Sequence, residues 1–191
     1  MRATAEELPF TADLAFARAL LASWAPPDGD QKSVRDAILA FIDAHPLDAH
    51  LRARPEGHLT ASALVLDASG ERALLTFHKK LGRWLQLGGH CDGDANLPGA
   101  ALREAREESG IDDLTIDPVP VDVDIHRIPP HKDEPEHLHL DTRFIAWAPP
   151  GAREAISDES LELRWFTREE SESLATDDSV RRLFRIAFAR A

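Results

Sequence analysis

The chain has 191 residues, with Lys+Arg 22 against Asp+Glu 34 and a formal net charge of -12, and its length suits one domain with a substantial core. So acidic a balance argues against binding to a nucleic-acid backbone or an anionic membrane surface; a phosphate-bearing partner would need metal ions and a few chosen basic side chains. The single Cys91 excludes an internal disulfide, and with neither a leader pattern nor a bilayer-length apolar run the expected setting is the cytoplasm.

The first part of the chain reads as helical. Leu14, Ala17, Leu20, Leu21 and Trp24 recur at helical spacing until Pro26, Pro27 and Gly29 break the pattern, and Val34, Ile38, Phe41, Ile42 and His45 repeat it up to Pro46. Residues 1–57 are therefore expected to form an N-terminal helical extension packed on a core domain of residues 58–191. Amphipathic helices are foremost packing elements, which favours a structural cap or a homodimer surface over a direct role with substrate.

From His58 the period changes to two. Residues 59–67 and 72–78 read as strands joined by a turn at Asp67-Ala68-Ser69-Gly70. His78, Lys79 and Lys80 close the second strand, where Lys79 is placed to reach a phosphate, although exposed strand-end lysines are common. Trp84, Leu85, Gln86 and Leu87 form a short strand leading into Gly88 and Gly89. His90 follows, placed either to face a site or to bond its loop neighbours.

A short helix comes next. Asp94 or Asn96 can cap its start, Pro98 sits where its missing N–H is harmless, and Gly110 is placed to end it in a left-handed conformation. At about 100° per residue, Glu104, Glu107 and Glu108 fall on one side while Ala101, Leu102 and Ala105 face a core. Glu104 and Glu108 repel each other across one turn, and Glu107 and Glu108 sit at the helix end where the dipole disfavours negative charge. A bound cation would reverse both penalties. Arg103 lies one turn before Glu107, able to pair with it and fix its carboxylate. Taken alone, the run also fits a solvated charged face.

Residues 119–128, 137–147 and 161–166 read as further strands and residues 178–189 as a closing helix. On the second of these strands His137, His139, Asp141 and Arg143 share one face, with Leu138, Leu140 and Phe144 on the other. Two histidines plus an aspartate suit a metal cluster, and Arg143 suits a bidentate phosphate clamp. A solvent face, or neutral histidines bonding a substrate base or sugar, would give the same alternation. His126, Arg127 and His131 lie near enough in sequence to join the group. Mixed strands with helices on separate sides make the fold class α/β, a sandwich.

Gly89 followed by Arg103-Glu104-Ala105, Glu107-Glu108 and Gly110-Ile111 resembles the signature of the Nudix hydrolases. That pattern runs Gly, five residues, Glu, seven residues, then Arg-Glu-apolar-x-Glu-Glu-x-Gly-apolar. Ala95 stands in place of the first glutamate, so that role is lost or passes to Asp92 or Asp94, and Leu87 replaces a proline often found before the glycines. The box spans about an eighth of the chain.

The resemblance implies a Nudix-type α/β/α sandwich with a mixed sheet. It also implies a metal-dependent pyrophosphohydrolase that cleaves a phosphoanhydride in a nucleoside diphosphate derivative by attack of water. Mg²⁺ or Mn²⁺ would be held by Glu104, Glu107, Glu108 and the Gly89 carbonyl, with Arg103 fixing carboxylate geometry and Glu104 or Glu108 accepting the water's proton. Glu159 matches in position a loop glutamate that many Nudix enzymes recruit as an extra ligand or base. Two other classes share the fold: an isopentenyl diphosphate isomerase and a non-catalytic nucleotide-sensing module. The complete Arg-Glu-x-x-Glu-Glu series and the setting of Cys91 speak against the first, and Ala95 is the sole support for the second.

Overall fold

The computed structural model describes residues 1–78, 82–130, 135–155, 160–174 and 176–190. Its strands are β1 (Gly57–Leu66), β2 (Arg72–His78), β3 (Arg83–Leu85), β4 (Leu87–His90), β5 (Thr115–Ile116), β6 (Asp122–Ile128), β7 (His137–Trp147) and β8 (Ser160–Thr167). Its helices are α1 (Leu14–Ser23), α2 (Gly29–Ala44), α3 (Leu97–Ser109), α4 (Arg168–Ser173) and α5 (Asp178–Phe188). The strands join in one eight-stranded mixed sheet with the path β3-β2-β1-β7-β5, and β4, β6 and β8 pair with β1, β7 and β2.

All ten residues of β1 are buried, and the strand runs parallel to β7 from Gly57↔Leu138 to Leu66↔Trp147. A strand covered on both faces reads as a continuous apolar run, as Ala63 to Leu66 do, while His58, Thr60 and Ser62 place buried polar groups on one face of the first half. The expected hairpin to β2 forms, but only at its turn end, Val65↔Leu74 and Leu66↔Ala73. Thr60 to Ala63 pair instead with β4, from Thr60↔His90 to Ala63↔Leu87. That exchange of partners brings the paired glycines against the middle of the sheet. A β-carbon on Gly88 would overlap Ser62, so only glycine allows the two backbones to meet there.

Helices cover both faces. On one side α1, α2 and α3 bury Leu14, Leu21, Ile38, Ile42, Leu97 and Leu102 against Leu59, Ala61, Ala63 and Phe144. On the other, Val180, Leu183, Phe184 and Ala187 of α5 pack on Leu64, Leu66, Ile145 and Trp147. Fully burying a Leu or Ile side chain contributes roughly 1.5–3 kcal/mol. The N-terminal hairpin is tied to the sheet by more than apolar area: the Gln31 amide donates to the Val123 carbonyl at 3.1 Å and accepts from its N–H at 2.9 Å. It thereby stands in for one residue of a neighbouring strand beside β6.

Several expected boundaries shift. The second helix begins at Gly29 because Asp28 caps it, accepting from the Gln31 N–H. The short strand before the glycines divides at Gln86 into β3 and β4. The strand expected from residue 119 begins at Asp122, since Pro118 and Pro120 supply no N–H to a ladder. The two-residue β5 and the single-turn-scale α4 carry too little periodicity to be read in advance, although Thr167 and Glu170 make a capping box at the start of α4.

Candidate active site

α3 is built much as its sequence suggests. Pro98 lies in the first turn and Gly110 closes the helix at φ 67°, while Ala100, Ala101, Leu102 and Ala105 are buried. Asn96 precedes the helix without bonding its amides; its side chain donates instead to the Pro9 carbonyl at 2.9 Å. The three glutamates lie off the buried side, and two of them, Glu104 and Glu108, meet the glycine turn. Glu104 occupies the space that a β-carbon on Gly89 would fill. Glu108 accepts a hydrogen bond from the Gly88 N–H at 3.1 Å. The Glu107 side chain is 62% exposed.

Arg103 has nearer partners than the Glu107 expected for it. It bonds Glu104, its sequence neighbour, and donates to the His90 carbonyl at 3.0 Å, whereas Glu107 is 3.8 Å away. The guanidinium thus clamps Glu104 and the turn after Gly89 together. Burial pushes the Glu104 carboxyl up to about 6, with Glu107 and Asp92 adding to the shift and Arg103 opposing it. One guanidinium therefore faces a carboxylate that is partly buried beside two like charges. A groove of about 480 Å³ lies against a different side of α3, lined by Leu8, Phe10, Asp94, Arg103, Arg106 and Glu107 and not by Glu104 or Glu108.

Ala95 is fully buried and its N–H donates to the Thr11 carbonyl at 2.6 Å. Asp94 is committed to backbone, accepting from Thr11 at 3.1 Å and Asn96 at 2.9 Å. Asp92 is exposed and close enough to Glu104 to raise its pKa.

On the opposite face of β4 and β1 lies a group of imidazoles. The rings of His58, His90, His137 and His139 lie with centroids 4.9–5.2 Å apart in neighbouring pairs, and His126 sits 5.3 Å from His139. Burial, then the neighbouring rings, lower His58 to about 4 and His139 to about 2. Neither ring nitrogen of His58 makes a hydrogen bond of good geometry, although the Arg54 backbone approaches it, and Nε2 of His139 also has no partner among the described residues. Each such buried group costs about 1–3 kcal/mol if left unpaired.

Asp141 and Arg143, expected to join His137 and His139, do not. Asp141 accepts from Ser62 at 2.8 Å, Thr60 at 3.2 Å and Arg143 at 2.9 Å, so it belongs to a buried polar layer rather than to the histidines. Arg143 is 2% exposed, and its three nitrogens are taken by Asp141, Asp122 and Asp124 at 2.9, 3.2 and 3.1 Å. With each nitrogen facing a carboxylate and the side chain buried, the phosphate clamp gives way to an internal ion-pair network, which Arg182 of α5 extends to Asp122 at 2.7 Å. Lys79 and Glu159 lie outside the described residues.

Residues 56–185 match the NUDIX domain. The chain belongs to the Nudix family. No curated protein matches it. Among solved structures, it is similar to an Ap4A hydrolase binary complex from C. elegans, with 20% identity, TM-score 0.56, and 69% of this chain and 96% of that one covered. It is likewise similar to the E. coli dihydroneopterin triphosphate pyrophosphohydrolase, with 18% identity, TM-score 0.55, and 72% and 97% covered. A NUDIX-family hydrolase from Clostridium perfringens shares 23% identity, TM-score 0.52, with 70% and 97% covered. The expected Nudix hydrolase class and α/β sandwich therefore hold.

Nothing in the sequence signalled that His58 would join the other histidines. That residue opens β1 as a lone histidine, and only the parallel register His58↔His139 and the β4 pairing reveal its neighbours. Cys91 is buried in the core beside α3, where burial pushes its thiol up and keeps it protonated. It has no setting for the chemistry an isomerase reading would ask of it.

Proposed function

We propose that this Nudix hydrolase cleaves a phosphoanhydride in a nucleoside diphosphate derivative, using a divalent cation held on the acidic side of α3. The reading rests on one observation: Glu104 fills the space beside Gly89, and Glu108 is hydrogen-bonded to Gly88, so two of the three carboxylates converge on one turn.

The donor set fits Mg²⁺ or Mn²⁺. Hard cations take carboxylate and carbonyl oxygens, and Glu104, Glu107, Glu108 and the Gly89 carbonyl are such a set. When bound, the ion neutralises phosphate charge and makes water a better nucleophile. Glu104, whose carboxyl is raised by burial in the ion's absence, would be held beside the bound cation in the ionised form that accepts a proton. Arg103 keeps Glu104 and the glycine turn in fixed relation and does not itself reach substrate. Glu107, exposed and 3.8 Å from Arg103, would reach the ion by a change of rotamer. Asp92 is the better placed substitute for the missing first glutamate, because Asp94 is occupied by backbone amides.

The test is a panel of nucleoside triphosphates, dinucleoside polyphosphates, ADP-ribose, nucleotide sugars and coenzyme A, each with Mg²⁺ and with Mn²⁺. Metal-dependent release of a monophosphate from one class supports the reading. A nucleotide that binds with metal and is never consumed would favour the non-catalytic sensing module.

A further inference from the structure

We infer that His58, His90 and His139 form a second metal site, for a borderline transition ion of the zinc class, on the opposite face of the sheet from the carboxylates of α3. One ligand nitrogen from each lies within 4.8 Å of the others. A tetrahedral ion with bonds of about 2.1 Å sets its nitrogens about 3.4 Å apart, so small ring rotations close the set.

The backbone fixes this convergence. His58 and His139 are direct partners across the parallel β1–β7 ladder, and His90 pairs with Thr60, two residues along β1 on the same face. Since successive residues alternate faces, Gly89 turns toward Glu104 while His90 turns away from it.

The chemistry of the pocket agrees. Among the described residues, neither ring nitrogen of His58, which is 2% exposed, has a well-formed hydrogen bond, and Nε2 of His139 is in the same condition. A packing role would be met more cheaply by apolar rings. Three imidazoles suit zinc-like ions and are poor ligands for Mg²⁺, which selects oxygen. The two sites would therefore sort ions by softness across one strand. With three protein ligands, a fourth position is left for water or an anionic oxygen. His137, whose Nδ1 is 2.9 Å from the Pro135 carbonyl, and His126, 3.4 Å from Asp124, would flank the ion as surrounding polar groups.

The inference does not depend on the hydrolase reading, and its test reads binding rather than turnover. The full chain, stripped with chelator and held in excess Mg²⁺ to occupy the carboxylates, is titrated with Co²⁺ while visible absorption is recorded. One equivalent should produce the intense bands of a low-coordinate nitrogen-ligated ion, displaced by Zn²⁺. His90→Ala and His139→Ala should each weaken binding by tenfold or more, and Glu107→Gln should leave it unchanged. In case the variants misfold, imidazole nitrogen NMR of the wild-type protein should show Zn²⁺ shifting three histidines and sparing His45 and His50. No response at millimolar Co²⁺, or bands lost in Glu107→Gln and kept in both histidine variants, would overturn the site.

Discussion

Glu104 stands where a side chain on Gly89 would have to go, so the glycine turn and the acidic helix are fitted to each other at a single point. The contact explains why a residue without a β-carbon is needed at a strand position whose backbone is otherwise ordinary.

Gly89→Ala is accordingly expected to displace the Glu104 carboxylate and lower kcat by about a hundredfold, the usual consequence of an ångström-scale misplacement at a reacting centre. Steady-state kinetics with the cleavable substrate, beside a denaturation curve showing a folded protein, checks it. Unchanged kcat would mean that the position of Glu104 is irrelevant to turnover.

Glu107 separates function from stability most cleanly, because its side chain is 62% exposed. Glu107→Gln should alter unfolding free energy by no more than about 0.5 kcal/mol while cutting turnover a hundredfold or more. Ordinary rates in the purified variant would remove Glu107 from the machinery.

Arg143 is expected to matter for folding. Replacing it with Met leaves Asp141 buried without its cation and Asp122 with Arg182 alone, a loss on the order of 3–5 kcal/mol in urea unfolding. A variant of normal stability with a raised KM would return Arg143 to phosphate binding.

Acid should destabilise the metal-free protein through the histidines. His58 has a folded pKa of about 4 against an ordinary 6.5, so between those values the unfolded chain takes up a proton that the native protein refuses. Stability is then full above about pH 6.5 and falls as pH drops toward 4, by on the order of 2–3 kcal/mol. Denaturation at a series of pH values in chelator measures it, and His58→Asn should flatten the slope. A wild-type profile flat from pH 7 to 5 would contradict the assignment.

Local signals were legible in the sequence and long-range pairings were not. Gly110, Pro98 and the apolar side of α3 could be read from spacing because helix caps and faces are set within a few residues. The face of His137, His139, Asp141 and Arg143 was equally readable, since alternation is local. What those side chains meet was not. Asp141 finds Ser62 and Thr60, and His139 finds His58, through a parallel pairing about eighty residues apart in sequence, which no nearby residue encodes. Arg143 looked free because its acidic partners on β6 and its neighbour Arg182 on α5 belong to separate elements.

The central claim is that the carboxylates of α3 hold a divalent cation beside a scissile P–O–P linkage. A crystal soaked with Mn²⁺ and a non-hydrolysable nucleoside diphosphate analogue, with anomalous scattering recorded at the manganese edge, tests it most directly. The account predicts a manganese peak ligated by Glu104, Glu107 and Glu108, with an analogue phosphate oxygen in its shell. Well-ordered glutamates turned to solvent, with the analogue bound and no manganese near them, would contradict it.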